Sequence, residues 1–226
     1  MRATYIIVAG GVGSRMGSSI PKQYIEVFER PIIYYTVKKL VDLGVKKLIL
    51  VIDLSYQEYL AEFFQELDAD IKYVAGGSHR QESVLNGLKA VEDDCEVVAI
   101  HDSVRPLVTL KMLDDLENKI REEDIACVIP VLAVKDTIKE VMGQQVVKTI
   151  DRSNLFKVGT PQYIKIKEYY KALDVLKDKK LQVTDDASIM ELAGLRVGIV
   201  EGDNKAFKIT DQDDLKYFKY HLKEEL

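Results

Sequence analysis

The chain has no tryptophan and only two cysteines, three histidines and five prolines in 226 residues. Each scarcity excludes something. Cys95 and Cys127 are too few for a disulfide scaffold and form no close-spaced metal or redox motif. No H-E-x-x-H helix, Cys/His cluster or G-x-S-x-G elbow is present. There is no basic surplus either: 32 Lys+Arg face 37 Asp+Glu, a net charge of −5. Nucleic acid is therefore not the expected partner, although a few local cations could still hold one phosphorylated small molecule. No apolar run approaches the roughly 18 residues of a membrane span. The opening Met1-Arg2-Ala3-Thr4-Tyr5-Ile6-Ile7-Val8 turns into glycines too early for a signal sequence. What is present, 47% hydrophobic and 31% charged residues, suits a substantial core. The expectation is a cytoplasmic protein with no membrane partner, folded as one domain over residues 1–226 without linker or repeat.

Short β-branched runs alternate with longer amphipathic stretches. Strands are predicted over Tyr5–Val8, Lys47–Ile52, Ile71–Val74, Val97–Ile100 and Val197–Val200. Helices are predicted over Pro31–Leu43, Tyr56–Leu67, Ser83–Val91, Tyr163–Leu176, Asp185–Leu192 and Asp211–Leu222. This alternation implies right-handed βαβ units and a mostly parallel sheet of the α/β class. In such sheets ligands sit beyond the carboxyl ends of the strands. Two polar motifs, the glycine loop after Val8 and His101-Asp102, fall at such ends. The pattern changes at Val131–Val147. Val134–Val141 partly alternates, Met142-Gly143-Gln144 can turn, and Gln145–Ile150 runs back. This reads as an inserted β-hairpin arm at about 133–155, poor in large apolar residues and expected to pack on a second subunit.

The first chemical constellation is Ala9-Gly10-Gly11-Val12-Gly13-Ser14-Arg15-Met16-Gly17, followed by Pro21-Lys22-Gln23. Glycines after a strand let backbone N–H groups approach phosphate oxygens. The P-loop pattern is absent, and Gly11, Gly13 and Gly17 put the third glycine of the dinucleotide fingerprint one residue late. Arg15 and Lys22 could instead neutralise charge building on a phosphorus centre, or could be solvated cations beside a tight turn. The second is Gly76-Gly77-Ser78-His79-Arg80-Gln81-Glu82-Ser83. Its N–H groups and the Ser83 hydroxyl suit a planar base, but Ser83 reads equally as a helix cap or first-turn residue, and His79 as a solvated loop histidine. The third is His101-Asp102-Ser103-Val104-Arg105-Pro106. Asp102 could contact a ribose hydroxyl or help hold Mg²⁺, directly or through water, or could simply pair with Arg105. Asp136-Thr137, Asp151-Arg152, Thr160-Pro161-Gln162, Thr184-Asp185-Asp186 and Lys208-Ile209-Thr210 point to nothing singly; Thr184 reads as a helix cap.

Taken in order from Ala9 to Leu215, these motifs resemble the IspD family, the 2-C-methyl-D-erythritol 4-phosphate cytidylyltransferases. The ordered set is specific where its pieces are not. A sister family, the ribitol-5-phosphate cytidylyltransferases, shares most of it. Three departures stand out: Gly10 for a usual alanine, Gly159 for the usual glutamine before Thr160-Pro161-Gln162, and Ala206-Phe207 for Asn-Ile before Lys208. Lys135-Asp136-Thr137-Ile138-Lys139 and Thr184-Asp185-Asp186-Ala187-Ser188 favour methylerythritol phosphate over ribitol phosphate as acceptor.

The resemblance implies a Rossmann-like, nucleotide-diphospho-sugar transferase-like fold and a homodimer joined through the arm. It implies CTP and a polyol phosphate as substrates and Mg²⁺ as cofactor. Arg15 and Lys22 would then serve the transition state, and Arg152, Lys208, Thr137, Thr160 and Thr184 would position the acceptor. Ala9, Gly10, Gly11, Gly13, Gly77, Arg80, Ser83 and Asp102 would bind CTP, with Asp102 also at the metal. If the arm crosses the dimer, Thr137 and Arg152 act on the other subunit's site. Two rivals are a nicotinamide dehydrogenase, to which Asp53 would supply the acidic residue, and a nucleotide sensor that binds CTP without releasing pyrophosphate.

Overall fold

The computed structural model describes residues 3–10, 20–177 and 183–225. The chain opens on β1 (Thr4–Val8), followed by a 3-10 turn at Lys22–Tyr24 and the small ladder of β2 (Glu26–Val27) with β3 (Arg30–Pro31). Then come α1 (Ile32–Asp42), β4 (Lys47–Ile52), α2 (Gln57–Phe64), β5 (Asp70–Ala75), α3 (Arg80–Lys89), β6 (Val97–Asp102) and α4 (Leu110–Lys119). The second half holds β7 (Cys127–Ala133), β8 (Ile138–Met142), β9 (Gln145–Ile150), β10 (Phe156–Val158), β11 (Gln162–Lys165), α5 (Ile166–Leu176), α6 (Asp186–Leu192), β12 (Val197–Glu201) and α7 (Gln212–Glu225).

Eight strands form one sheet in the order β10-β7-β11-β6-β1-β4-β5, with β12 on the far side of β7. The pairs β6–β1, β1–β4, β4–β5 and β7–β12 are parallel; only β10 and β11 run the other way. The expected mostly parallel α/β sheet is what forms. Both faces of its central strands are buried, so apolar residues follow one another without a polar partner. Tyr5, Ile7, Leu48, Leu50 and Ile52 face the layer holding Ile33, Val37, Leu40, Leu60 and Leu113. Ile6, Ile49 and Val51 face the layer holding Val84, Leu88, Tyr169 and Met190. A Cβ on Gly87 would lie 2.5 Å from the Ile6 side chain, so glycine there lets α3 sit tight on the sheet. No helix among the described residues is long and apolar enough to cross a membrane.

Several predicted boundaries move. Helix α3 starts at Arg80, three positions before Ser83, because His79 is its N-cap. Strand β6 runs on through His101 and Asp102. Tyr163 and Ile164, predicted helical, pair in β11 with β6 and β7, and the helix starts at Ile166. Two buried elements go unread in the sequence pattern. Helix α4 has a Thr109 cap and a Met112, Leu113 and Leu116 face; β7 carries Pro130 inside an apolar run, where proline argues against a strand. Strands β10 and β11 lie in succession along the same edge of β7, interrupted opposite Pro130, whose carbonyl accepts the Gly159 N–H at 2.8 Å. The hairpin of β8 and β9 is a separate two-stranded ladder turned at Gly143, which adopts φ +60°.

Candidate active site

The parallel strands finish together. Val8 lies beside Val51 and Asp102 in register. Just beyond, the Ala9 N–H donates to the Val51 carbonyl at 2.8 Å and the Gly76 N–H to the Ile52 carbonyl at 2.7 Å. The loops after β1, β5 and β6 therefore open at one end of the sheet. A Cβ on Gly10 would meet Ser83 Oγ at 3.3 Å and Gly76 Cα at 3.7 Å, so the two glycine loops touch almost backbone to backbone. Ser83 is not the cap but lies in the first turn of α3. Its buried hydroxyl accepts the Gly77 N–H at 3.0 Å and donates to the His79 carbonyl at 3.2 Å, fixing the glycine loop to α3. His79, expected to be merely solvated, caps the helix: its Nδ1 accepts the Glu82 N–H at 3.1 Å. Glu82 in turn accepts the Ser78 N–H at 2.7 Å, the reciprocal logic of a capping box.

Asp102 sits at the centre of this end and is 7% exposed. The pair with Arg105 is present, and a second cation joins it. Arg105 Nε and Lys208 Nζ each lie 3.0 Å from Asp102 Oδ2. Burial pushes the carboxyl up, but the cations of Lys208, Arg105 and Arg80 outweigh it and hold Asp102 well below the usual carboxylate range. It stays ionised at any working pH. Lys22 Nζ donates to the Ile209 carbonyl at 3.0 Å, which brings Lys22 and Lys208 to the same end of the sheet. Gln23 donates to the Ala9 carbonyl and ties the turn carrying Lys22 to the mouth of β1. Arg105 also donates to the Ala206 carbonyl at 3.1 Å, holding the segment before Lys208. Gly159, Ala206 and Phe207, two of the three departures noted in the sequence, converge here: with Arg105, Thr160 and Lys208 they border one cavity of about 220 Å³.

Beneath Asp102, His101 is fully buried, and burial pulls its imidazolium down to about 4 against the pull of the Asp102 carboxylate. The ring is neutral at physiological pH. Thr160, 5% exposed, places its Oγ1 2.9 Å from His101 Nδ1 and 3.1 Å from the Asp102 nitrogen.

Arg80, expected at the base, makes an ion pair with Asp186 at 2.6 Å. Asp186 is 1% exposed and also accepts from the Tyr169 hydroxyl at 3.2 Å. Burial exceeds the pull of Arg80, so the Asp186 carboxyl is held above its ordinary range. Gln162 locks this corner, accepting both the Asp186 and Ala187 N–H groups at 3.1 Å and donating to Asp185 at 2.8 Å. Asp185 caps α6, where Thr184 was expected to; Thr184 is exposed just before it. Removing Arg80 leaves a buried carboxylate without its cation. Arg80→Ala is expected to destabilise the fold by about 3 kcal/mol, the low end for breaking a buried pair, because the arginine is itself 33% exposed. For a chain of this length that is a Tm drop of roughly 6–12 °C, readable by scanning calorimetry. A drop under about 2 °C would show that Tyr169 and the cap satisfy Asp186 unaided.

Thr137 and Arg152 lie elsewhere. Both are exposed at the base of the arm, and Arg152 donates to the Lys135 carbonyl. Among the described residues, no hydrogen bond or ion pair joins either to the Asp102 cluster within one chain. Gly11, Gly13 and Arg15 fall outside the described residues. No group of three or more His, Cys, Asp or Glu side chains suited to a metal occurs among the described residues. Gln162, Asp186 and His101 are the participants whose roles no local sequence pattern points to.

The family model described as IspD, 2-C-methyl-D-erythritol 4-phosphate cytidylyltransferase, matches residues 3–224. A protein of that name from Clostridium perfringens is 39% identical over 222 residues, 96% of this chain and 97% of the relative. Among solved structures, the 4-diphosphocytidyl-2C-methyl-D-erythritol synthase of Anaerococcus prevotii superposes with a TM-score of 0.83 at 28% identity, covering 98% of each chain. The 2-C-methyl-D-erythritol 4-phosphate cytidylyltransferase of Thermus thermophilus gives a TM-score of 0.80 at 26% identity, covering 99% of this chain and 100% of that one.

Proposed function

From the premise that this chain belongs to the IspD family, we propose that it transfers a cytidylyl group from CTP to 2-C-methyl-D-erythritol 4-phosphate, giving CDP-methylerythritol and pyrophosphate. The relatives favour this acceptor over ribitol 5-phosphate, and the family leaves no place for the dehydrogenase rival. The observation that carries the reading is the convergence of Lys22, Lys208, Arg105 and Asp102 beside two glycine loops at the strand ends. An acceptor phosphate oxygen attacks the α-phosphorus of CTP in line, and the bond to the pyrophosphate oxygen breaks. No protein nucleophile is needed. The protein orients two anions and neutralises the charge added between them.

In this reading Ala9, Gly10, Gly11, Gly13 and Gly77 offer backbone to CTP, with Arg80 and Ser83 shaping the wall at the base. Arg15 and Lys22 neutralise the reacting phosphates, Lys208 and Thr184 face the acceptor, and Thr160 serves the acceptor pocket indirectly, from beneath Asp102. Mg²⁺ fits at Asp102: the carboxylate is ionised and lies at the strand end beside the glycine loops, with Arg105 and Lys208 gathered at Oδ2. One carboxylate suffices for an ion carried largely by nucleotide phosphates and water. When bound, the ion would neutralise phosphate charge. The arm exposes Val141, Met142, Val146 and Val147 at 52–76%, an apolar surface that a second copy of the chain would cover. In such a homodimer Thr137 and Arg152 would complete the other subunit's acceptor pocket, which accounts for their distance from Asp102 here.

The direct test is a coupled pyrophosphate assay with CTP and Mg²⁺, run in parallel with methylerythritol 4-phosphate, with ribitol 5-phosphate and without acceptor. Turnover is expected with the first alone or strongly preferred. CTP binding without pyrophosphate release in any arm would mark a nucleotide sensor and refute the reading.

A further inference from the structure

His101 fills a buried position one residue before Asp102, yet its ring is more than packing. Nε2 lies 3.1 Å from the Arg105 carbonyl. A carbonyl only accepts, so in the neutral ring Nε2 carries the proton and Nδ1 is bare. Nδ1 must then accept from the Thr160 hydroxyl, 2.9 Å away. That commits the Thr160 hydrogen and turns an oxygen lone pair toward the Asp102 N–H, received at 3.1 Å. One ring thus sets the direction of a hydroxyl that pins the Asp102 backbone, and grips the backbone of Arg105, whose guanidinium holds the Asp102 carboxylate.

Building on the cytidylyltransfer reading, we propose that His101 is a positioning residue for Asp102, acting through the Thr160 hydroxyl. Thr160, its hydrogen committed to His101, has none to donate to an acceptor phosphate. Its function runs inward, to the strand end that presents Asp102. A residue that merely filled the space would leave that hydroxyl undirected.

Two substitutions separate the ring's two bonds. His101→Asn keeps an acceptor near the position of Nδ1 and gives up the reach to Arg105. His101→Gln keeps a donor near the position of Nε2 and gives up the acceptor facing Thr160. With folding checked by circular dichroism, His101→Gln is expected to lose about ten- to a hundredfold in kcat, the range for a supporting-shell group, with KM for CTP moving less. His101→Asn should lose clearly less. Because both act through one hydroxyl, adding His101→Gln to Thr160→Val should cost no more than about twofold beyond Thr160→Val alone. Multiplying effects, or a His101→Gln enzyme within about threefold of wild type, would overturn the assignment. Wild-type turnover in the same assay tests the underlying reaction separately. Imidazole nitrogen shifts in ¹⁵N-labelled protein give a readout independent of turnover. A protonated Nε2 with a bare Nδ1 is expected, the latter shifting in Thr160→Val; a bare Nε2 would overturn the proposal.

Discussion

Lys22→Ala is expected to lower kcat by about two orders of magnitude or more, the usual loss when a charge-stabilising donor is removed from a transition state. The lysine sits on the short turn that Gln23 ties to Ala9, and its ammonium reaches the Ile209 carbonyl beside Lys208. It is therefore held at the place where phosphate charge would build. Lysine supplies a compact charge without the fixed fork of arginine, suited to following oxygens that move during displacement. CTP binding should weaken less than catalysis, since the ground-state nucleotide keeps its glycine-loop contacts. If kcat stays within about threefold while KM alone rises, Lys22 contributes uniform binding and has no special part in the reacting step.

Arg152→Ala is expected to raise KM for the polyol phosphate steeply with CTP affinity nearly unchanged, because a bidentate fork suits the acceptor's phosphate. Among the described residues of one chain, Arg152 meets the arm at the Lys135 carbonyl. If Arg152 of the partner subunit completes each site, Lys22→Ala and Arg152→Ala lesions belong to different subunits of the same site. Each variant alone would be nearly inactive. Mixed under subunit exchange, random heterodimers would carry one doubly damaged and one intact site, so activity should recover to roughly a quarter of wild type. Verified heterodimers as inactive as either parent would refute the cross-subunit arrangement while leaving the reaction itself standing.

Much of the frame is legible in the sequence because strands buried on both faces write themselves as unbroken apolar runs, as Leu48–Ile52 does within the strand Lys47–Ile52. What fails is instructive. Strand β11 abuts α5 with no turn residue between them, so Tyr163 and Ile164 merge into the helical period of the residues that follow. Pro130 hides β7, although its lost donor falls where β10 and β11 are themselves interrupted. Histidine is an unusual N-cap, and so α3 reads as beginning late. At the site, strand ends mark where chemistry collects, since a parallel sheet gathers its carboxyl-end loops. Pairings across the chain are another matter. Nothing local couples Asp102 to Lys208, Arg80 to Asp186 or His101 to Thr160. Those choices depend on loop paths that only the folded chain defines.

The central claim is that an acceptor phosphate oxygen, and not water or an oxygen of CTP, forms the new bond to the α-phosphorus of CTP as pyrophosphate leaves. Following ¹⁸O-labelled methylerythritol 4-phosphate by ³¹P NMR addresses it most directly. The account predicts a CDP product whose bridging oxygen carries label at the acceptor's isotopic enrichment, with unlabelled pyrophosphate released. An unlabelled bridge, label in the pyrophosphate, or CMP as the released product would contradict it.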